Sequence, residues 1–165
     1  MKWLGMGIMI LSFACSAGPE LQLGTTVPDF TLPDENDSLH TLSDYIGQRI
    51  VVYFYPKDDT PGCTKEACGI RDSYKGFEEN NIVVLGISYD DADSHRKFKL
   101  KHGIPFSLLT DSDKTVSKLY DAGGFFFPSR KTFLIDEHGK LIKIYEKVDV
   151  TTHAVDILDT FLQGK

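Results

Sequence analysis

The segment Tyr53-Phe54-Tyr55-Pro56-Lys57-Asp58-Asp59-Thr60-Pro61-Gly62-Cys63-Thr64-Lys65-Glu66-Ala67-Cys68 leaves an apolar run, crosses a Pro/Asp loop and enters a helical pattern that carries two of the chain's three cysteines. Upstream, Ile50 to Tyr55 is a continuous apolar stretch of strand length, the pattern of a central strand buried on both faces. Downstream, Ala67, Ile70, Tyr74 and Phe77 recur at spacings of three and four, which predicts a helix from Pro61 to about Glu79, ended by Asn80-Asn81. Thr60 is a candidate N-cap and Pro61 suits the first helical position. Ile82 to Ser88 is a second apolar strand. Strand, helix and strand make a parallel βαβ unit with a right-handed crossover. This places the loop after Tyr55 at the carboxyl end of the first strand, where open α/β sheets put their sites.

Outward from this unit the chain is patterned throughout. Phe30 to Leu32 and Leu39 to Leu42 flank a turn-rich stretch and read as an N-terminal hairpin, with Ser43 capping a brief turn. Asp93 or Ser94 starts a helix that ends near His102-Gly103, Phe106 to Leu109 is a short strand, and Lys114 to Tyr120 a short helix. Residues 123–128 form a loop whose phenylalanines face solvent. Lys131 to Ile135 and Lys140 to Lys147 read as an antiparallel hairpin, and Thr151 to Leu162 as a closing amphipathic helix with Val155, Leu158 and Leu162 inward. The class is α/β: a βαβ half, then a ββα half, around a central mixed sheet flanked by helices.

Cys63 falls in the first helical turn, where free backbone N–H groups and the helix dipole favour a thiolate. Cys68 lies five residues on, about 7.5 Å along the helix axis and turned by about 140°, so the Cα atoms are roughly 8 to 9 Å apart. A disulfide spans at most about 7 Å. A bond between them requires local unwinding, which suits a transient bond better than a structural staple. Two unrelated small apolar side chains remain the other reading, above all for Cys68. Glu66, one turn from Cys63, reads as solvated. The histidines at 40, 95, 102, 138 and 153 are scattered, show no ligand spacing with the cysteines, and read as surface or hairpin residues, so no metal or cofactor is expected.

Pro56-x-x-x-Thr60-x-x-Cys63 matches the Pro-x-x-x-Thr-x-x-Cys signature of the peroxiredoxins, and Cys68 resembles the resolving cysteine of their PrxQ, or bacterioferritin comigratory protein, subgroup within the AhpC/TSA family. Val27-Pro28-Asp29-Phe30-Thr31-Leu32, Gly86-Ile87-Ser88 with Asp90, Ser94-His95, Pro105-Phe106 with Leu108-Leu109 and Asp111, and Arg130 with Thr132-Phe133-Leu134-Ile135-Asp136 are similar to that subgroup in the same order. The likeness runs over about residues 25 to 162. It implies a thioredoxin-like fold and a thiol peroxidase that reduces hydrogen peroxide and organic hydroperoxides to water and alcohols. Cys63 would be the peroxidatic thiol, Pro56 its shield, Thr60 a hydrogen-bonding partner of the peroxide, and Arg130 the cation beside the sulfur. Cys68 would resolve the oxidised Cys63 in an intramolecular disulfide, which a thioredoxin-like protein reopens, in a monomer or weak dimer. The rival is a thioredoxin-type dithiol oxidoreductase acting on proteins. That chemistry usually rests on Cys-x-x-Cys, a spacing this chain lacks.

The totals bound the rest. At 165 residues, 41% hydrophobic and 25% charged, the chain is one ordered domain, and a net charge of −6 argues against nucleic acid or an anionic membrane surface as the main partner. Residues 1–17 stand apart: Lys2, an apolar run from Trp3 to Ala14, then Cys15-Ser16-Ala17 read as an export signal. Cleavage after Ala17 gives a soluble protein. Cleavage before Cys15 leaves a thiol for lipid and a membrane tether. Residues 18–24 are a linker, and 25–165 the domain, expected on the extracytoplasmic side.

Overall fold

A computed structural model describes residues 21–163. The five-stranded sheet runs β5(Ser107–Thr110), β4(Ile82–Ser88), β3(Arg49–Phe54), β6(Lys131–Ile135), β7(Leu141–Tyr145). β3, β4 and β5 are parallel; β6 is antiparallel to β3, and β7 to β6. β1(Thr31–Pro33) and β2(Leu39–Thr41) form the expected N-terminal hairpin. The helices are α1(Pro61–Asp72), α2(Tyr74–Glu79), α3(Ala92–His102), α4(Thr115–Leu119) and α5(His153–Gln163). This is the thioredoxin-like arrangement expected.

The unbroken apolar run of β3 is explained by its central place. Val51, Tyr53 and Tyr55 point into one core with Ile70 of α1, Phe77 of α2, Phe98 of α3, and Ile157 and Phe161 of α5. Ile50, Val52 and Phe54 point into a second core with Phe30, Leu42, Val116, Tyr120 and Phe133. The period-two alternation of a strand thus feeds two apolar layers at once.

Several boundaries and faces differ from expectation. The helix predicted over 61–79 is two helices, because Ser73 leaves helical geometry (φ −99°, ψ 4°) and its N–H closes the first segment onto Gly69 and Ile70. The second segment then brings Gly76 under Leu158, where a Cβ would stand 3.2 Å from Cδ1. The cap of α3 is Asp91, whose carboxylate accepts the Ser94 N–H at 2.9 Å, rather than Asp93 or Ser94. Ser43 caps nothing; its own N–H donates to Asp29. α5 buries His153, Ala154, Ile157 and Phe161, whereas Val155 and Leu162 are exposed. Two apolar stripes overlap on that helix, and the one carrying Ile157 and Phe161 removes more area from water. The phenylalanines of the 123–128 loop do face solvent. The export signal and Cys15 lie outside the described residues.

Candidate active site

β3 delivers the chain to the carboxyl edge of the sheet, and a buried polar knot fixes the loop that follows. Tyr55 Oη donates to Asp58 Oδ1 at 2.7 Å, Ser94 Oγ donates to Oδ2 at 2.8 Å, and His95 Nδ1 lies 2.8 Å from the same oxygen. The Asp58 N–H donates to Asp90 at 2.9 Å. Asp58 and His95 are buried. Next to them Asp59 takes a left-handed φ of 55° and is held by Lys101 and His102 at the end of α3. The loop is thereby tied to α3 from both sides, which sets where α1 begins.

Thr60 stands at the N-cap position, but its hydroxyl does not cap: it donates to the Lys57 carbonyl at 3.0 Å. The first intrahelical bond runs from Thr64 N to Thr60 O at 2.8 Å, so the N–H groups of Gly62 and Cys63 lie ahead of the ladder, facing the site. Cys63 is only 1% exposed, while Thr60, Gly62 and Arg130 around this helix start, and Pro56 in the loop after β3, are half-buried.

Arg130, one residue before β6, crosses to α1 and puts Nη2 3.2 Å from Cys63 Sγ. Gly62 permits the approach, since a Cβ there would lie 3.3 Å from the same nitrogen. The guanidinium's other arm, Nη1, forms a close ion pair with Glu66 Oε2. Burial opposes the charge of Arg130, yet the Glu66 carboxylate and the Cys63 sulfur more than offset it and raise its pKa, so it stays a cation. Burial raises Glu66 from its ordinary 4.5 to about 7, with Arg130 pulling the other way. Behind Glu66 lies His153, 3.8 Å from Oε1 and bonded to Thr132 Oγ1 at 2.8 Å. Burial lowers His153 to about 4, which keeps it neutral.

Three of the five residues singled out in the sequence thus meet at the start of α1, Thr60, Cys63 and Arg130, while Pro56 lies half-buried in the loop after β3. Cys68 lies in the same unbroken helix, half-buried, and both cysteines are free thiols. Glu66 is not solvated. It is 1% exposed and holds the arginine in place. Its spacing was the available signal, because positions 63, 66, 67 and 70 are the buried stripe of α1. His95 and His153 are likewise core residues: His95 bonds Asp58 through Nδ1, with its Nε2 buried and unpartnered, and His153 bonds Thr132, partners that sequence distance conceals. No group of three or more His, Cys, Asp or Glu suited to a metal occurs among the described residues.

A cysteine in the first turn of a helix, its sulfur against a guanidinium that a buried carboxylate holds, on a thioredoxin-like sheet, defines the class of thiol-dependent peroxidases. The profile of the AhpC/TSA family matches residues 23–144. The putative peroxiredoxin Bcp of Coxiella burnetii is 42% identical over 146 residues, 84% of this chain and 97% of its own length. Peroxiredoxin Bcp of Bacillus subtilis is 42% identical over 148 residues, 85% and 94% of the two chains. Among solved structures, a Cys-to-Ser variant of Xylella fastidiosa PrxQ superposes with a TM-score of 0.84 at 32% identity, covering 89% of this chain and 99% of that one. The chain belongs to the AhpC/TSA family, as a peroxiredoxin of the Bcp/PrxQ kind.

Proposed function

We propose that Cys63 is the thiol that reduces the peroxide and Cys68 the thiol that resolves it. The observation that carries this is the 3.2 Å contact between Arg130 Nη2 and Cys63 Sγ at the start of α1. A sulfur anion there attacks one oxygen of the peroxide and the O–O bond breaks. Sulfur becomes a sulfenic acid, and the departing oxygen takes a proton and leaves as water or an alcohol. Arg130 and the N–H groups of Gly62 and Cys63 are placed to balance the charge that shifts from sulfur to that oxygen. Thr60 already donates its proton to Lys57, so its lone pairs are free to accept the peroxide O–H and orient it.

The Cys68 thiolate then displaces hydroxide from the sulfenic sulfur, the hydroxide takes a proton from solvent and leaves as water, and a Cys63–Cys68 disulfide forms once α1 opens. A thioredoxin-like dithiol reverses this by exchange. In this reading the chain is exported, either soluble or tethered through lipid on Cys15, and works as a monomer or weak dimer. A structure of the Xanthomonas campestris bacterioferritin comigratory protein, 29% identical, is described by that protein's alkyl peroxide reduction activity, which supports organic hydroperoxides among the substrates here. The dithiol oxidoreductase reading is not favoured, since the two thiols sit five residues apart within one helix.

Intact-mass analysis after one equivalent of hydrogen peroxide tests the assignment. Wild type is expected to lose two hydrogens and consume the peroxide. Cys68→Ser should gain one oxygen, and Cys63→Ser should do neither. Peroxide consumption that survives in Cys63→Ser would sink it.

A further inference from the structure

The loop before Arg130 carries a feature that the peroxide chemistry does not use. Phe125, Phe126 and Phe127 are 83%, 74% and 49% exposed, whereas the other aromatic residues among those described are buried or half-buried. They are not loosely held. Ser129 N donates to Ala122 O at 2.7 Å and closes the loop, Lys114 Nζ donates to Phe125 O at 2.7 Å, and Gly124 is bonded through both backbone groups to Tyr89 Oη. Gly124 is required, because a Cβ there would fall 2.0 Å from the Phe127 carbonyl oxygen. The backbone is pinned so that the rings stand outward.

Cations flank the rings. Lys57 Nζ lies 5.8 Å from the Phe127 ring, and Lys114 Nζ 5.8 Å from that of Phe125. Asp121 at the loop's base is engaged by Lys131 at 3.1 Å. The chain as a whole carries a net charge of −6, but the tip itself sets two lysines beside its apolar rings, and this local face is complementary to a surface that is anionic outside and apolar beneath. The three rings expose on the order of 400 Å², about half of the roughly 800 Å² per partner in a standard protein interface. A symmetric contact with a second copy would also set the lysines of one patch against those of the other.

We propose that the Phe125–Phe127 loop, with Lys57 and Lys114, docks onto the headgroup region of an anionic lipid bilayer. Lys57 adjoins Pro56, and Arg130 follows Phe127 by three residues. Docking therefore sets the segments that lead into the Cys63 helix start and into Arg130 against the bilayer surface, where interfacial apolar groups reach roughly 5–10 Å deep. Hydroperoxides borne on lipid chains would be met there in place. This use of the loop rests on the peroxidase reading of Cys63; the docking itself does not.

The test compares wild type with a Phe125→Ser/Phe126→Ser variant of the full chain, so that residues 1–20 contribute equally to both. Sedimentation with vesicles of phosphatidylcholine, with and without phosphatidylglycerol, reads binding. Wild type should favour the phosphatidylglycerol vesicles, lose this preference in high salt, and bind them at least about tenfold more tightly than the variant. The variant should keep its hydrogen peroxide rate and lose most of its rate on hydroperoxidised phospholipid in the same vesicles. Equal vesicle binding by the two proteins overturns the proposal. So does a dimer in wild type that the variant loses, or a defect confined to recycling by thioredoxin, since either assigns the patch to a protein partner. Hydrogen peroxide turnover and its loss in Cys63→Ser report separately on the peroxidase reading.

Discussion

At the scale of single residues, the site turns on a guanidinium shared between a sulfur and a carboxylate. Replacing Arg130 by Met should lower the second-order rate with hydrogen peroxide by about 10²–10³-fold, the usual cost of losing one donor aimed at developing charge; stopped-flow kinetics read this, and a change under threefold would contradict the role. Glu66 and His153 are linked to pH with opposite signs. Glu66 is raised from 4.5 to about 7, so its contribution to stability is whole below about 4.5 and is lost as pH rises through about 7. His153 is lowered from 6.5 to about 4, so its contribution is present above about 6.5 and lost as pH falls through about 4. Between about 4.5 and 6.5 the two slopes oppose each other and wild type should show a shallow profile. Glu66→Gln removes the falling limb, so its stability should climb with pH across that window by on the order of 3 kcal/mol. Denaturant titrations at a series of pH values check this, and parallel profiles for the two proteins would refute it.

At the scale of elements, the proposed cycle requires α1 to be stable enough to aim Cys63 and weak enough to release Cys68. Twelve residues bounded by Ser73 make a helix marginal by itself, held by its buried stripe of Cys63, Glu66, Ala67 and Ile70. Gly69, next to Cys68, weakens it further, and a Cβ there would meet only the Val150 carbonyl oxygen, at 4.0 Å. Gly69→Ala should therefore stabilise the helix by about 0.5–1 kcal/mol and slow disulfide formation by roughly two- to fivefold. The first reaction with peroxide should be unchanged. Rapid-quench mass analysis separates the two steps, and an unaltered resolution rate would mean that α1 opens elsewhere. The break at Ser73 that matters here escaped the sequence pattern, because Ile70, Tyr74 and Phe77 keep helical spacing across it. The loop before α1 was legible only as a loop: the tie from Asp58 to Ser94 and His95 joins residues some 36 positions apart.

At the scale of the whole molecule, β3 and β4 form the spine that separates the two cores and carries the site at one end. Gly86 in β4 is the tightest point of that spine, since a Cβ would fall 2.8 Å from the Tyr53 ring. Gly86→Ala should cost about 1–3 kcal/mol, lowering Tm by about 2–4 °C for each kcal/mol. A calorimetric scan within a degree of wild type would mean that Tyr53 moves aside freely. The order of strands and helices apart from the break at Ser73, a helix start that carries Cys63 and the exposed phenylalanine loop were determined by the sequence alone, because each is written in neighbouring residues as periodicity, turn chemistry or a short motif. The sequence could not establish that Glu66 is buried against Arg130, that His95 and His153 are core residues, or which stripe of α5 faces inward. Those were decided by the tertiary structure, because burial and pairing depend on which distant side chains arrive at the same place, and local spacing carries no record of that.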